Sequence, residues 1–227
     1  MKRAVVCLVA VLFTASIAKA DAFLSGTLTA DNFFTAYLAT SPTAPLSADV
    51  LLATSGYTNP GDWSGWESFS GVTLTAGTTY YLVIAGENAG PNDGFSQFPY
   101  GTNNPAGILG NFSLGNSSFQ FANGTQSLVT NTADWTYSVT TPGATSLTPS
   151  SPGANGVGPW GAIGGVSPDA QWIWANDPSF AIPNVIFETE ITPVSAPTVI
   201  PEPGSLFLLG SGLTALAGFI ARRRRSA

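Results

Sequence analysis

The sequence predicts an all-β protein with a two-sheet sandwich or barrel at its centre, and three observations predict it. Short runs rich in Thr, Val, Tyr and Phe recur along the chain, separated by Gly, Pro, Asn and Ser, which is the pattern of strands and turns. No segment between residue 21 and Ser205 carries a sustained helical stripe. Between Asp21 and Ile200 there are twelve carboxylates and no Lys, Arg or His, so that stretch carries a formal charge of −12. It can form no side-chain salt bridge and must be held by apolar burial and backbone ladders.

The elements follow in chain order. Lys2 and Arg3 form a basic start, Ala4 to about Ile17 is an apolar run, and Ala18-Lys19-Ala20 is a small-x-small cleavage site. That order is the signature of a secretory signal peptide, residues 1–20, with Asp21 as the first mature residue. Its partners would be the secretion translocon and signal peptidase. Predicted strands then cover Ser25–Ala30, Phe33–Ala39, Asp49–Ala53, Trp66–Leu74, Thr78–Ala85, Gly107–Leu114, Ser118–Ala122, Asp134–Thr140, Gln171–Trp174 and Asn184–Ile191. Within the fifth, Tyr80, Leu82 and Ile84 alternate with Tyr81, Val83 and Ala85. Both faces are apolar, as in a central strand, and Ala76-Gly77 before it makes a tight turn. The Gly/Pro/Ser/Thr-rich stretch 141–165 reads as a linker or an ordered surface loop. Trp160 favours the loop, because an indole in a linker would expose a large apolar area. The sandwich is thus expected over 21–191, followed by a Pro-rich extended tether, 192–200.

Residues 201–227 hold the sharpest contrast in the chain. Ser205–Ala221 is seventeen residues without a charge, and Arg222–Arg225 follow at once. As a helix this span would be about 25 Å long, near enough to a hydrocarbon core of about 30 Å for snorkelling arginines to close the gap. A transmembrane helix over 205–221 is expected. Lys2-Arg3 and Arg222–Arg225 would both be held on the cytoplasmic side, leaving the body exported.

The inventory excludes several chemistries. A body without cations cannot neutralise phosphates, so nucleic acid is not a partner. Cys7, the only cysteine, lies in the signal peptide, and there is no histidine. Disulfides, zinc sites and Ser-His-Asp triads are therefore outside the mature protein's repertoire. Two carboxylates would suffice for glycoside hydrolysis, but no pair is marked out by spacing. Asp31, Asp62, Asp93 and Asp177 sit where Asx turns and caps form. The loop "GENAGPNDG" offers Glu87, Asn88, Asn92 and Asp93 as hard oxygen ligands for calcium, but the spacing is not that of an EF-hand loop and a solvated hairpin connection is the better reading. Trp63 and Trp66, in the loop "NPGDWSGWES", can present apolar platforms to a sugar face. Trp172 and Trp174, two apart on one strand, should face the same way into the core. Asn111, Asn116 and Asn123 match the N-glycosylation pattern but fit Asn-rich turns as well.

"PEPGS", a short apolar span and "RRRR" together resemble the PEP-CTERM sorting signal of Gram-negative bacteria. The resemblance rests on Pro201, Glu202, Pro203 and Gly204, the span, and Arg222, Arg223, Arg224 and Arg225. It implies recognition by exosortase, processing near Pro201-Glu202-Pro203, and a membrane hold that is transient. It also implies delivery to the cell surface or an exopolysaccharide matrix, with exopolysaccharide as a further partner. "TADNFFTAYL", "VTLTAGTTYYLVIAGENAGPNDG" and "AQWIWANDP" followed by "NVIFETEI" resemble strands of galactose-binding-like jelly rolls. That likeness implies a single jelly-roll-like sandwich, and because a W-I-W strand comes first in many members whereas Trp172-Ile173-Trp174 comes last here, the last strands are expected to pair beside the first. The expected protein is a non-catalytic exported surface or matrix component with a structural or weak glycan-binding body. A secreted carbohydrate-active enzyme using paired carboxylates and a permanently anchored single-pass protein are the alternatives.

Overall fold

A computed structural model describes residues 20–43, 46–55, 63–91, 99, 101, 103–195 and 203–224. Among the described residues are twelve strands and one long helix: β1 (Ala22–Asp31), β2 (Phe33–Ala39), β3 (Val50–Thr54), β4 (Glu67–Leu74), β5 (Tyr80–Glu87), β6 (Gly107–Leu114), β7 (Phe119–Phe121), β8 (Ser127–Val129), β9 (Thr136–Ser138), β10 (Ser150–Ala154), β11 (Gln171–Trp174), β12 (Asn184–Pro193) and α1 (Pro203–Arg223). A short 3-10 turn, Leu46–Ala48, precedes β3.

The strands form two six-stranded sheets. One has the order β10-β11-β6-β1-β4, with β8 also on β6. The other has the order β3-β2-β5-β12-β7, with β9 also on β12. Every pairing between these strands is antiparallel. β5 lies between β2 and β12, with Leu82 opposite Leu38 and Ile84 opposite Phe187. Its run of Leu82, Val83 and Ile84 is fully buried, which is why its sequence is apolar on both faces.

One apolar core fills the space between the sheets. Leu24, Leu28, Phe112 and Ile173 from the first sheet meet Phe34, Leu82, Phe187 and Ile191 from the second. Burying each such side chain contributes about 1.5–3 kcal/mol, and no ion pair is needed. Trp135 packs on Phe112 with ring centroids 5.6 Å apart, and its indole donates to the Val129 carbonyl at 3.1 Å. Trp174 packs on Phe187 at 5.8 Å. Its six-membered ring lies so close to Gly86 that a Cβ there would stand 2.8 Å from Cζ3, so β5 carries glycine at that point.

Two expectations about the strands are corrected. Trp172 and Trp174 are both buried, yet they fill different clusters: Trp174 the inter-sheet core, Trp172 a second cluster with Leu109, Trp160, Ile163, Val166 and Ala170. β11 is only four residues long and its ladder to β6 has the single register pair Ile173–Ile108, so the strand does not hold a strict alternation. The last strands do not pair beside the first, since β6 separates β11 from β1 and β12 runs between β5 and its short neighbours β7 and β9. The stretch 141–165 is an ordered loop that contains an edge strand, β10, paired to β11 through an irregular register between Ser150 and Gly153. β8 escapes sequence reading because it is only three residues long, and β10 because it carries Ser, Pro and Gly where apolar alternation is expected.

The tail is a separate compact unit, Ser195–Ala227, the other unit ending at Val194. Its described part is α1, 21 residues long. Among the described residues no helix is long and apolar enough to cross a membrane, so the expected transmembrane span over 205–221 is not borne out. Leu209, Leu213, Leu216, Phe219 and Ile220 are exposed, but Gly210, Ser211, Gly212 and Thr214 dilute them and Arg222–Arg224 occupy the end. The Thr214 hydroxyl donates back to the Gly210 carbonyl at 3.1 Å. Arg222 and Arg223 in the last turn complement the helix dipole.

Candidate aromatic surface site

The outer face of the first sheet is not bare. Leu109 of β6 and Trp172 of β11 point away from the inter-sheet core, and the loop after β10 folds over them. Asn155 organises that loop. Its side-chain amide donates to the carbonyls of Ile163 (3.1 Å) and Val166 (3.0 Å), and its Oδ1 accepts from the Ile163 amide at 2.7 Å. The Ser167 amide donates to Asn111 Oδ1 at 3.0 Å, pinning the loop to β6. Polar side chains thus satisfy backbone groups in a segment without regular structure, as buried loops require.

Trp160 is the lid of this cluster. Its ring stacks on Trp172 with centroids 4.4 Å apart and planes 20° from parallel. Its indole nitrogen donates to Asp31 Oδ2 at 2.7 Å. Asp31, the last residue of β1, is only 6 % exposed. Burial pushes its carboxyl up to about 6, while the indole hydrogen bond pulls the other way. Asp31 is therefore a buried acceptor and not the turn-former its sequence position suggested. Asp177 does behave as expected, accepting from the Ser179 amide at 3.0 Å and the Ala181 amide at 2.8 Å.

Trp63 and Trp66 flank the lid. Trp63 is partly buried against the Trp160 cluster, and its carbonyl accepts from the Thr29 hydroxyl at 2.9 Å. Trp66 remains 46 % exposed. Its indole lies along the Gly164-Gly165 pair. A Cβ at Gly165 would be 2.7 Å from Nε1 and Cε2, and one at Gly164 would be 3.3 Å from Cη2. Gly165 also has φ +79°, a conformation side chains disfavour. Two glycines thus seat one side of the ring and leave the rest to solvent. The two tryptophans are not equivalent: Trp63 anchors and Trp66 presents.

Of the calcium candidates, only Glu87 and Asn88 fall among the described residues. Glu87 ends β5, and Asn88 is fully buried. The Asn88 amide side chain donates to the Asn104 carbonyl at 3.1 Å, and Asn104 donates to the Ala89 carbonyl at 2.8 Å. Asn88 therefore fastens two chain segments, although its Oδ1 is buried without a partner. Asn92 and Asp93 lie outside the described residues. No group of three His, Cys, Asp or Glu that could hold a metal occurs among the described residues.

A carboxylate pair that spacing did not mark lies on the outer face of the second sheet. Glu188 and Glu190 of β12 border a groove of about 460 Å³ that Tyr81, Asp134, Thr136 and Ser146 also line. Burial, and then the charge of Glu190, raise the Glu188 carboxyl to about 7. The Tyr81 phenol, opposite Glu190 in the ladder, is raised by burial and by both carboxylates. The legible signal was the alternation Glu188-Thr189-Glu190, which places two acids on one strand face.

The remaining predicted residues fall as follows. Asp21 docks at the start of β1, where its side chain accepts from the Ala76 amide at 2.8 Å and its carbonyl from Asn116 at 2.7 Å. Asn116 and Asn123 form side-chain turns with the amides of Ser118 and Thr125. Pro203 and Gly204 open α1, Arg222 and Arg223 close it, and Arg224 follows in a turn. Ala18, Pro201, Glu202 and Arg225 lie outside the described residues, as do Asp62 and most of the signal peptide.

No curated protein and no solved structure matches the chain, so the jelly-roll likeness gains no support beyond the two-sheet architecture. Residues 199–225 match the model of the PEP-CTERM protein-sorting motif, and the chain carries that motif as its C-terminal segment.

Proposed function

We propose that this is a non-catalytic exported protein whose body binds glycans at a tryptophan ledge after exosortase-type sorting. The motif at residues 199–225 implies export, exosortase as the processing partner and a surface or extracellular destination. An inner-membrane intermediate with the body in the periplasm belongs to this proposal, and it rests on the motif and not on a spanning helix. The observation that carries the role of the body is Trp66, half exposed and seated on Gly164-Gly165 beside the Trp63–Trp160–Trp172 cluster. A ring held from one side needs no ordering on binding, so little of the contact energy is lost to side-chain entropy. Its open surface suits the C–H face of a sugar ring.

Two measurements test the reading. Mass spectrometry of the exported protein is expected to show loss of the N-terminal 20 residues and of Arg222–Arg225. A mature form that retains the arginines would overturn processing and favour permanent anchoring. Polysaccharide binding is expected to fall on Trp66→Ala, and binding unchanged by that substitution would overturn the ledge.

The groove bearing Glu188 and Glu190 favours a second reading, a carbohydrate-active enzyme. A carboxyl raised to about 7 beside a second carboxylate suits an acid–base division of labour. Polysaccharide hydrolysis abolished by Glu188→Gln would establish it over the first reading.

A further inference from the structure

The Trp66 ledge stands in an unusual electrostatic setting. The body surrounding it contains no Lys, Arg or His, so no side chain there can compensate a ligand's negative charge. The residue after Trp66 is Glu67, whose side chain is exposed at the start of β4. Adjacent Cα atoms are about 3.8 Å apart, so Glu67 is the charged residue next in the chain to the platform, and its carboxylate acts over a Debye length of about 10 Å at 0.1 M salt. The ledge itself is uncharged. Gly164 and Gly165 support the ring, and Asp31, bonded to the Trp160 indole, is buried.

We infer that the ledge selects uncharged polysaccharides and rejects uronic-acid or otherwise anionic ones. This rests on the glycan-binding reading above and adds the ligand's charge class to it. Attraction comes from stacking on Trp66, which does not depend on salt. Selectivity comes from Glu67 and the surrounding carboxylates, which repel an anionic chain without contributing to binding of a neutral one. The class is fixed by what the site lacks, a cation, together with what stands next to the platform, an acid.

The experiment uses the full chain and affinity electrophoresis in chelator. Neutral probes are laminarin and xylan without acidic substituents, and anionic probes are alginate and polygalacturonate. Neutral polymers are expected to bind equally at about 0.02 and about 0.5 M NaCl, and anionic ones not to bind at the lower salt. Trp66→Ala is expected to weaken neutral binding about tenfold. Glu67→Lys, an exposed substitution that leaves the ledge in place, is expected to admit the anionic polymers. Should Trp66→Ala fail to fold, a shift in the wild-type tryptophan emission on adding laminarin reports engagement instead. Anionic binding that is lost in Trp66→Ala would overturn the charge selectivity while keeping the ledge as a glycan site. Binding of neither class, or neutral binding that ignores Trp66, would overturn the ledge and this inference with it.

Discussion

The Trp160 indole nitrogen donates to Asp31 Oδ2 at 2.7 Å across 129 residues of sequence. This bond fastens the loop after β10 to the end of β1, and it leaves a carboxylate buried with an indole as its named partner. Trp160→Phe keeps the ring and removes the donor. It is expected to cost about 1–3 kcal/mol at pH 7.5, the penalty for orphaning a buried acceptor. Urea unfolding would measure it. The loss should shrink at pH 5, where the carboxyl is protonated in the folded state.

Stability is expected to rise as the solution is acidified from pH 7.5 toward pH 5. The folded carboxyl of Asp31 sits at about 6 against an ordinary 3.8, and that of Glu188 at about 7 against 4.5. The folded state therefore holds protons more tightly than the unfolded chain. The stabilisation is fully present below the ordinary values and is lost as pH rises through about 6 and 7. Asp31 alone contributes at most about 3 kcal/mol across that window. Glu188, half exposed, contributes less because solvent screens it. Melting temperatures that fall between pH 7.5 and pH 5 would contradict this.

Gly165→Ala tests the seat of the ledge. The added methyl would stand 2.7 Å from the Trp66 ring at a residue with φ +79°. The expected cost is about 1–3 kcal/mol, with a red or blue shift of tryptophan emission as the ring moves. Gly77→Ala is the control. There φ is +83° but nothing lies within 4 Å of the new Cβ, so a smaller loss and an unchanged emission are expected.

The tryptophans should divide sharply in alanine substitution. Trp174, fully buried against Phe187 and Gly86, is expected to cost about 3–5 kcal/mol. Trp66 should cost under about 1 kcal/mol in stability while carrying the binding. Chemical denaturation of both variants would reveal equal losses if Trp66 were a core residue.

Strand-forming segments were readable wherever packing imposed a pattern. β2, β6 and β11 occur at the predicted limits, and β5 shows the two-faced burial its apolar run implied. β8 and β10 were not readable, because edge strands pair through the backbone and leave little mark on side-chain type. Trp63 and Trp66 were legible as candidates from their loop. Their unequal roles were not, since the difference depends on Gly164 and Gly165, about a hundred residues away. The pair Glu188 and Glu190 was legible as an alternation but not as a groove, which needs Asp134 and Ser146 from other segments.

The sequence by itself determined the all-β class, the absence of ion pairs and thiol chemistry from the body, and the sorting motif at residues 199–225. Each of these depends on local pattern or on inventory, and neither needs knowledge of what lies opposite. Only the tertiary structure decided the strand order, the separation of Trp172 from Trp174 and the burial of Asp31 under Trp160. Those outcomes depend on long-range pairing, where the face a side chain takes and the water it loses are set by residues distant in the chain.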